Sequence, residues 1–371
     1  MVYVHVPVCR RKCLYCDFYS VGERLADWPV LVDAILAEAD SRRDEYLSMS
    51  SGSPCTLYIG GGTPSLMPES EFVRLAEGLL RLFGDVDEFT IEVNPDDVSP
   101  AKVRSWRNCG VDRVSMGVQS LCDAELEAVG RRHTACDARN AFGLLRGEFG
   151  NISLDLMFGL PNQTSGSLQA TLNGFVQMNP EHISAYSLMY EERTALTRLR
   201  DNGKLCEAPE ELSAEMFGMI TAALSDAGYE QYEISNYSKP GRRSIHNSAY
   251  WRGCAYLGLG PGAHSYDGKR TRSFNPPDLR GYLASGGLAI AEKETLSDNE
   301  LREEMIMTRL RTCEGMDLEE FQNRFGMKAL KKLIRDSSKF RDSGLLDITG
   351  CRLRLTHAGV MVSDEVMAAL F

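Results

Sequence analysis

Short runs of apolar and β-branched residues alternate along the chain with longer stretches in which apolar residues recur at every third or fourth position. The short runs cover residues 2–7, 56–60, 88–93, 112–117, 151–159, 181–188 and 229–235. Between them, residues 26–46, 69–83, 134–149 and 210–227 carry apolar residues at i, i+3 and i+4 spacing, which predicts helices with one buried face. In the last of these, Leu212, Phe217, Ile220 and Leu224 share a face while Glu210, Glu211 and Asp226 point to water. Strand and helix in alternation predict an α/β fold with a parallel sheet, because parallel strands need crossovers of helical length. In such sheets ligands and chemistry collect in the loops that follow the strands.

The texture changes at Gly258. Gly260, Pro261, Gly262 and then Asn275, Pro276 and Pro277 interrupt any regular element, and a weakly patterned stretch runs to about residue 296. Beyond it, helices over 297–311, 317–325 and 328–342 precede a strand pair, 345–348 and 353–356, turned by Thr349 and Gly350, and a last helix starts at His357. Helices followed by a hairpin predict a small winged-helix-like α+β domain. The expected organisation is a large α/β domain over 1–290 and a small one over 291–371. Winged helices often bind DNA, but Asp317, Glu319, Glu320, Asp364 and Glu365 dilute the basic face this requires. No internal repeat or low-complexity tract is present.

At 371 residues the chain can bury a large core. No apolar run approaches the ~18 residues of a membrane span, and no signal-peptide pattern opens the chain, so a soluble cytoplasmic protein is expected. A formal charge of -11 argues against a broad phosphate-binding surface, and with it against a nucleic-acid partner or substrate. One local basic spot stands out at Arg10, Arg11 and Lys12. Of 11 cysteines, those at 55, 109, 122, 136, 206, 254, 313 and 351 are scattered singly. That pattern predicts free thiols in a reducing compartment, serving as small buried or half-buried hydrophobes.

The other three cysteines, Cys9, Cys13 and Cys16, form a C-x-x-x-C-x-x-C run just past the first strand. Three soft thiolates on one loop suit a Cys3His zinc site with His5 as fourth ligand, or a [4Fe-4S] cluster whose fourth iron stays open. Later strand ends carry further chemistry. The second ends in Gly60-Gly61-Gly62-Thr63-Pro64, where backbone N–H groups can approach an anion, without the lysine of a Walker loop or the spacing of a dinucleotide fold. The third ends in Glu92-Val93-Asn94-Pro95, the fourth in Gly117-Val118-Gln119-Ser120, and the fifth holds Asp155; Gly130-Arg131-Arg132-His133 lies between the last two. Singly, Glu92 reads as a helix cap, Asp155 as a satisfied buried acid and Arg131 as half of a surface ion pair. Together they describe a pocket for a zwitterion that also carries a ribose.

In this order the motifs resemble the radical S-adenosylmethionine proteins, and within them the branch of HemN-type coproporphyrinogen III dehydrogenases and HemW heme chaperones. The resemblance spans essentially the whole chain, from Tyr3-Val4-His5-Val6-Pro7 through the cysteine run to the C-terminal domain. It implies a partial (β/α)6 barrel of TIM type with a [4Fe-4S] cluster on Cys9, Cys13 and Cys16 in its mouth. S-adenosylmethionine would chelate the open iron through its amino and carboxylate groups, and reductive cleavage would give a 5′-deoxyadenosyl radical. The resemblance assigns Tyr3, Gly61, Gly62, Thr63, Glu92, Gln119, Arg131 and Asp155 to S-adenosylmethionine.

Three markers separate the two kinds of relative. HemN-type enzymes carry a fourth cysteine two residues past the third, where this chain has Phe18; they also have an N-terminal extension, whereas the first strand here starts at Val2; and His246-Asn247-Ser248-Ala249-Tyr250-Trp251 matches the His-Asn-x-x-Tyr-Trp motif of HemW. The implied function is heme binding and transfer to an acceptor protein, with a flavodoxin- or ferredoxin-type reductant for the cluster. The alternative is radical oxidative decarboxylation in porphyrin biosynthesis. For heme, His246 is a candidate axial ligand and Tyr250 and Trp251 are candidate stacking groups. His5, His264 and Cys254 are competing iron ligands, and the ordinary reading of the motif is a capped turn whose aromatics plug the barrel bottom.

Overall fold

In a computed structural model that describes residues 1–49, 52–288 and 292–371, nine strands form one sheet. In chain order they are β1 (Val2–Val6), β2 (Thr56–Gly61), β3 (Glu88–Val93), β4 (Arg113–Gln119), β5 (Ile152–Phe158), β6 (His182–Ser187), β7 (Glu230–Gln231), β8 (Asn236–Ser238) and β9 (Leu257–Leu259). Strands β1 to β6 run parallel, each paired with the next, and form the partial (β/α)6 barrel; β9 joins β1 in parallel at one edge. At the other edge β8 returns antiparallel along β6, and β7 pairs with β8.

Where one parallel strand is expected over 229–235, the chain forms two short antiparallel strands, β7 within that range and β8 just beyond it. Glu233 breaks it: its carboxylate accepts the backbone N–H of Ser235 at 3.1 Å and the side-chain amide of Asn236, and it is tied to Arg311 at 2.9 Å. A side chain that satisfies nearby backbone donors folds the chain back instead of extending it.

Alternation along β1 to β6 separates two chemistries. Val4, Val6, Leu57, Ile59, Ile91, Val114, Met116, Leu154 and Leu156 are buried in the core shared with the helices. Their neighbours Tyr58, Glu92, Arg113, Ser115 and Asp155 point the other way, into the barrel, as a period of two requires. The outer layer comprises α1 (Trp28–Ser41), α2 (Glu69–Phe83), α3 (Pro100–Asn108), α4 (Ala135–Arg146), α5 (Ser165–Met178) and α6 (Glu210–Asp226). Their starts were written in the sequence: Thr134 and Thr164 close capping boxes on α4 and α5. On α6, Phe217, Ile220 and Leu224 are buried as the pattern predicts, joined by Met216, while Leu212 is half-buried.

After β9 the chain is more regular than its sequence suggested. β10 (His264–Tyr266), β11 (Thr271–Phe274) and β12 (Glu292–Thr295) form an antiparallel meander. Strands of three and four residues between Gly and Pro turns are too short to show a period. The boundary expected at 290/291 lies outside the described residues. A short helix, α7 (Ile245–Trp251), precedes β9, and α8 (Asp298–Leu310) and α9 (Leu318–Asp336) follow the meander. Gly326 at φ +85° breaks α9 where the sequence predicted a gap between two helices. β13 (Met316–Asp317), β14 (Leu346–Thr349) and β15 (Arg352–Leu355) complete the C-terminal part, which has its own core around Ile306, Phe321, Leu333 and Leu353.

All eleven cysteines are free. Cys136, Cys206, Cys313 and Cys351 are exposed, against the expectation of buried or half-buried positions, because they sit at a helix start, in an irregular connection and in turns. Among the described residues no helix is long and apolar enough to cross a membrane.

One buried carboxylate ties the barrel to the meander. Glu38 on α1 accepts from the Gly260 N–H and the Asn275 amide, both at 2.8 Å, from the Tyr282 hydroxyl at 2.6 Å and from Arg42 at 3.2 Å. Arg42 in turn donates to the Gly258 carbonyl at 3.0 Å. Removing the carboxylate leaves these donors without an acceptor in a dry site. Glu38→Ala should therefore cost about 3–5 kcal/mol in denaturant unfolding, and Glu38→Gln clearly less; equal, small losses would mean that this cluster does not hold the meander.

Candidate cofactor site

The cysteine loop leaves the C-terminal end of β1 and is closed by two-residue strands, Val8–Cys9 and Val21–Gly22, paired in parallel. Leu14 anchors its middle, donating to the Val129 carbonyl at 3.1 Å and accepting from the Leu196 N–H at 2.8 Å. Cys9 is buried, and Cys13 and Cys16 are half-buried.

Two of the three sulfurs are touched by residues singled out from later strands. Thr63 donates to Cys9 Sγ at 3.5 Å and Arg131 donates to Cys13 Sγ at 3.5 Å. Asn94 joins them, donating to Thr63 at 3.4 Å and accepting from Arg131 at 2.9 Å. Burial, with Cys13 and Cys9 nearby, pushes the Cys16 thiol up to about 11. A bound cation reverses this, since a coordinating thiol is deprotonated outright. Among the described residues no three His, Cys, Asp or Glu side chains form a finished metal-ligating set. The zinc alternative loses its fourth ligand: His5 Nε2 pairs with the Tyr19 carbonyl at 2.9 Å and Nδ1 with the Tyr3 hydroxyl at 3.1 Å.

Beside the loop lies the glycine cradle. Gly61 holds φ +107°, and a Cβ on Gly62 would stand 2.8 Å from both the N and the O of Val8, so a side chain there would close the space. Glu92 faces the cradle, accepting the Gly61 N–H at 3.0 Å and the Tyr58 hydroxyl at 2.8 Å. Burial pushes Glu92 up to about 7, against the pull of the Tyr58 hydrogen bond, and the neighbouring Asp155 adds to the rise. Asp155 is itself pushed up to about 6 by burial, opposed by Arg113 and by hydrogen bonds from Ser184 and Ser115. Gln119 sits on a bulge in β4 at φ +69°, an uncommon conformation for a non-glycine residue. Its Oε1 and the Nε of Arg131 are buried without a partner. Unspent polar atoms, a glycine cradle and two carboxylates around three thiols fit a zwitterion with a ribose bound beside a cluster.

The aromatic motif lies elsewhere. Glu88, on the first residue of β3, accepts the N–H groups of Ile245 and His246 at 2.9 and 3.0 Å and so fixes the start of α7. His246 is 1% exposed; its Nδ1 pairs with Thr56 at 2.7 Å, and its Nε2 is buried without a partner. Burial pushes its pKa down to about 3, which keeps the ring neutral. Tyr58 lies 5.0 Å from it on one side and Tyr250 lies 4.9 Å away edge-on. Tyr250, Trp251 and Cys254 line a cavity of about 550 Å³ to which His246 does not contribute. His264 is exposed and stacks on Phe274 at 5.3 Å.

Sequence reading missed several residues of this interior. Tyr58 and Asn94 hydrogen-bond the predicted residues, and Tyr15, inside the cysteine run itself, bonds Cys13. Arg113 is 1% exposed with Nε and Nη1 unpartnered, within the field of Glu88, Tyr58 and Asp155. Its signal was a charge at the start of a strand otherwise buried.

A three-cysteine loop, a glycine cradle and paired acids at successive ends of a partial (β/α)6 barrel define the class of radical S-adenosylmethionine proteins. The Radical SAM superfamily matches residues 3–173, and the HemN C-terminal domain matches residues 296–362. The heme chaperone HemW of Bacillus subtilis is 35% identical, over 99% of this chain and 98% of its own. HemW of Lactococcus lactis is 32% identical over 98% and 95%, and the mitochondrial radical S-adenosyl methionine domain-containing protein 1 of Bos taurus is 32% identical over 100% and 86%. The solved structure of Escherichia coli coproporphyrinogen III oxidase (HemN) superposes with a TM-score of 0.84 at 20% identity, covering 100% of this chain and 89% of that one. The chain belongs to the radical S-adenosylmethionine superfamily, in its HemN/HemW branch, and membership implies a [4Fe-4S] cluster and S-adenosylmethionine.

Because Glu92 is pushed up to about 7 from 4.5, the folded protein holds a proton there that the unfolded chain releases. Stability should therefore fall as pH rises from about 4.5 to about 7 and level off above. Glu92→Gln removes that slope and should be more stable at pH 8 by about 2 kcal/mol. Denaturant unfolding at several pH values checks this; an unchanged slope in the variant would show that Glu92 is not the proton holder.

Proposed function

We propose that the protein is a cytoplasmic heme carrier that passes heme to an acceptor protein. The observation that carries this reading is Phe18. Two residues beyond Cys16, where a porphyrinogen-decarboxylating relative has a further thiol, this chain presents a phenyl ring that is 63% exposed, with its carbonyl held by Lys12 at 2.8 Å. The relatives named heme chaperones, which match the chain end to end, support the same reading.

In this reading Cys9, Cys13 and Cys16 hold the [4Fe-4S] cluster, which a flavodoxin- or ferredoxin-type donor reduces. Tyr3, Gly61, Gly62, Thr63, Glu92, Gln119, Arg131 and Asp155 hold S-adenosylmethionine. The bound pair supplies one-electron chemistry. The chain's own residues orient it: Arg131 fastens Cys13 to Asn94, Thr63 holds Cys9, and Glu92 offers a carboxylate beside the cradle. Tyr250 and Trp251 face the heme, and His246, packed edge-on behind Tyr250, positions that ring.

After anaerobic reconstitution, the protein should bind hemin with a sharp absorbance band, release it to an apo-acceptor, and leave coproporphyrinogen III unchanged in the presence of S-adenosylmethionine and a reductant. Turnover to protoporphyrinogen without stoichiometric heme binding would make it a decarboxylase instead. Cys13→Ser should abolish the cluster spectrum under either reading; a retained cluster would remove Cys13 from the ligand set.

A further inference from the structure

The cavity beside α7 lies where the two ends of the sheet do not meet. Ser235 and Asn236 line it from the β8 end and Tyr256 from the β9 end, and α7 and α8 close it. Its volume, about 550 Å³, falls in the ~300–1,000 Å³ range of small-molecule sites. One wall is aromatic: Tyr250 meets Tyr256 edge-on at 4.6 Å, and Tyr256 meets Tyr266 at 6.3 Å.

Four guanidinium groups line the cavity, and their hydrogen bonds divide them; Arg272 lies 5.9 Å over the Tyr266 ring, beside the aromatic wall. Arg311 is spent: it binds the buried Glu233 at 2.8 and 2.9 Å and stacks 4.0 Å over Trp251. Arg309 is spent as well, on the Trp251 carbonyl at 2.6 Å and on Glu320 at 3.0 Å. Arg272 is not. It gives one nitrogen to Glu304 at 2.8 Å, while its Nε is buried with no partner. Arg324 is exposed; it lies against the Tyr266 hydroxyl and reaches the Lys269 carbonyl only at 3.5 Å.

The Arg272 side chain is 39% exposed and lines the cavity, so its guanidinium is open to an anion there. An aromatic wall whose rings meet edge-on and tilted, with two underused guanidiniums beside it, suits an apolar ligand with carboxylates on one side. We propose that Arg272 and Arg324 receive the two propionate carboxylates of the tetrapyrrole, and that Glu304 occupies Arg272 until the ligand displaces it. This rests on the heme reading above. It assigns recognition of the ligand's anionic edge to residues of the meander and the C-terminal helices, outside the His-Asn-x-x-Tyr-Trp motif. Burial pushes the Glu304 carboxyl up, against the pull of Arg272.

The test titrates the reconstituted full-length protein with hemin and with hemin dimethyl ester, in which both propionates are blocked, followed by the heme absorbance band. Wild type should prefer hemin by about tenfold or more, the equivalent of one charge-assisted contact. Arg272→Gln/Arg324→Gln should erase the preference while leaving ester affinity unchanged, and Glu304→Gln should tighten hemin binding about threefold or more. Arg324→Gln alone, at an exposed position, should lose part of the preference even if the double variant folds poorly. Hemin binding without discrimination in wild type, or discrimination that survives Arg324→Gln and the double variant, overturns the proposal and leaves the heme reading standing. No hemin binding by wild type overturns both.

Discussion

Everything in the barrel depends on keeping two chemistries on opposite faces of the same six strands. Parallel strands covered on both sides are usually apolar throughout. Here only the outward positions are: Val4, Ile59, Ile91, Val114 and Leu154 pack on the helices, while Tyr58, Glu92, Arg113 and Asp155 fill the interior. Burying those charges costs free energy, which the outer apolar layer has to offset. The cost is visible in Glu92 and Asp155, both held well above their ordinary range by burial. A shift of one residue in register would exchange the faces and destroy core and pocket together.

The same interior joins two sites. Tyr3 lies 6.0 Å from Tyr58, Tyr58 lies 5.0 Å from His246, and Tyr250 lies 4.9 Å beyond. Tyr58 bonds Glu92 at the cradle and its ring touches His246, so one side chain belongs to the surroundings of both the cysteine pocket and the cavity beside α7. The cavity wall continues through Tyr256 to Tyr266, and thus to the meander that Glu38 fastens to α1 through Gly260 and Asn275. The cysteine pocket and the cavity beside α7 share a wall of aromatic rings.

Much of this was legible in the sequence. The strands at 2–7, 56–60 and 88–93 announced themselves by composition; the cysteine run, Gly61, Gly62, Glu92 and Gln119 did so by standing at strand ends, and Arg131 by its place in the Gly130-Arg131-Arg132-His133 run between two strands. What stayed hidden depends on direction and on tertiary partners. Arg113 and Tyr58 look like ordinary strand residues until the barrel turns them inward. Asn94 acquires its place only when Arg131 arrives from a distant loop. Glu233 turns an expected parallel strand into an antiparallel return because its carboxylate satisfies the local amides. His246 reads from its motif as a candidate axial ligand, and the fold closes it between Tyr58 and Tyr250.

In the proposed function, cluster and heme occupy separate places in one chain, the first in the cysteine loop and the second in the cavity beside α7. Iron content and hemin stoichiometry, measured side by side on the reconstituted protein and on a variant with Cys9, Cys13 and Cys16 all replaced by Ala, test it most directly. The expected result is loss of cluster iron with hemin binding retained in the variant. Loss of hemin together with the cluster, from a variant that remains folded, would contradict it.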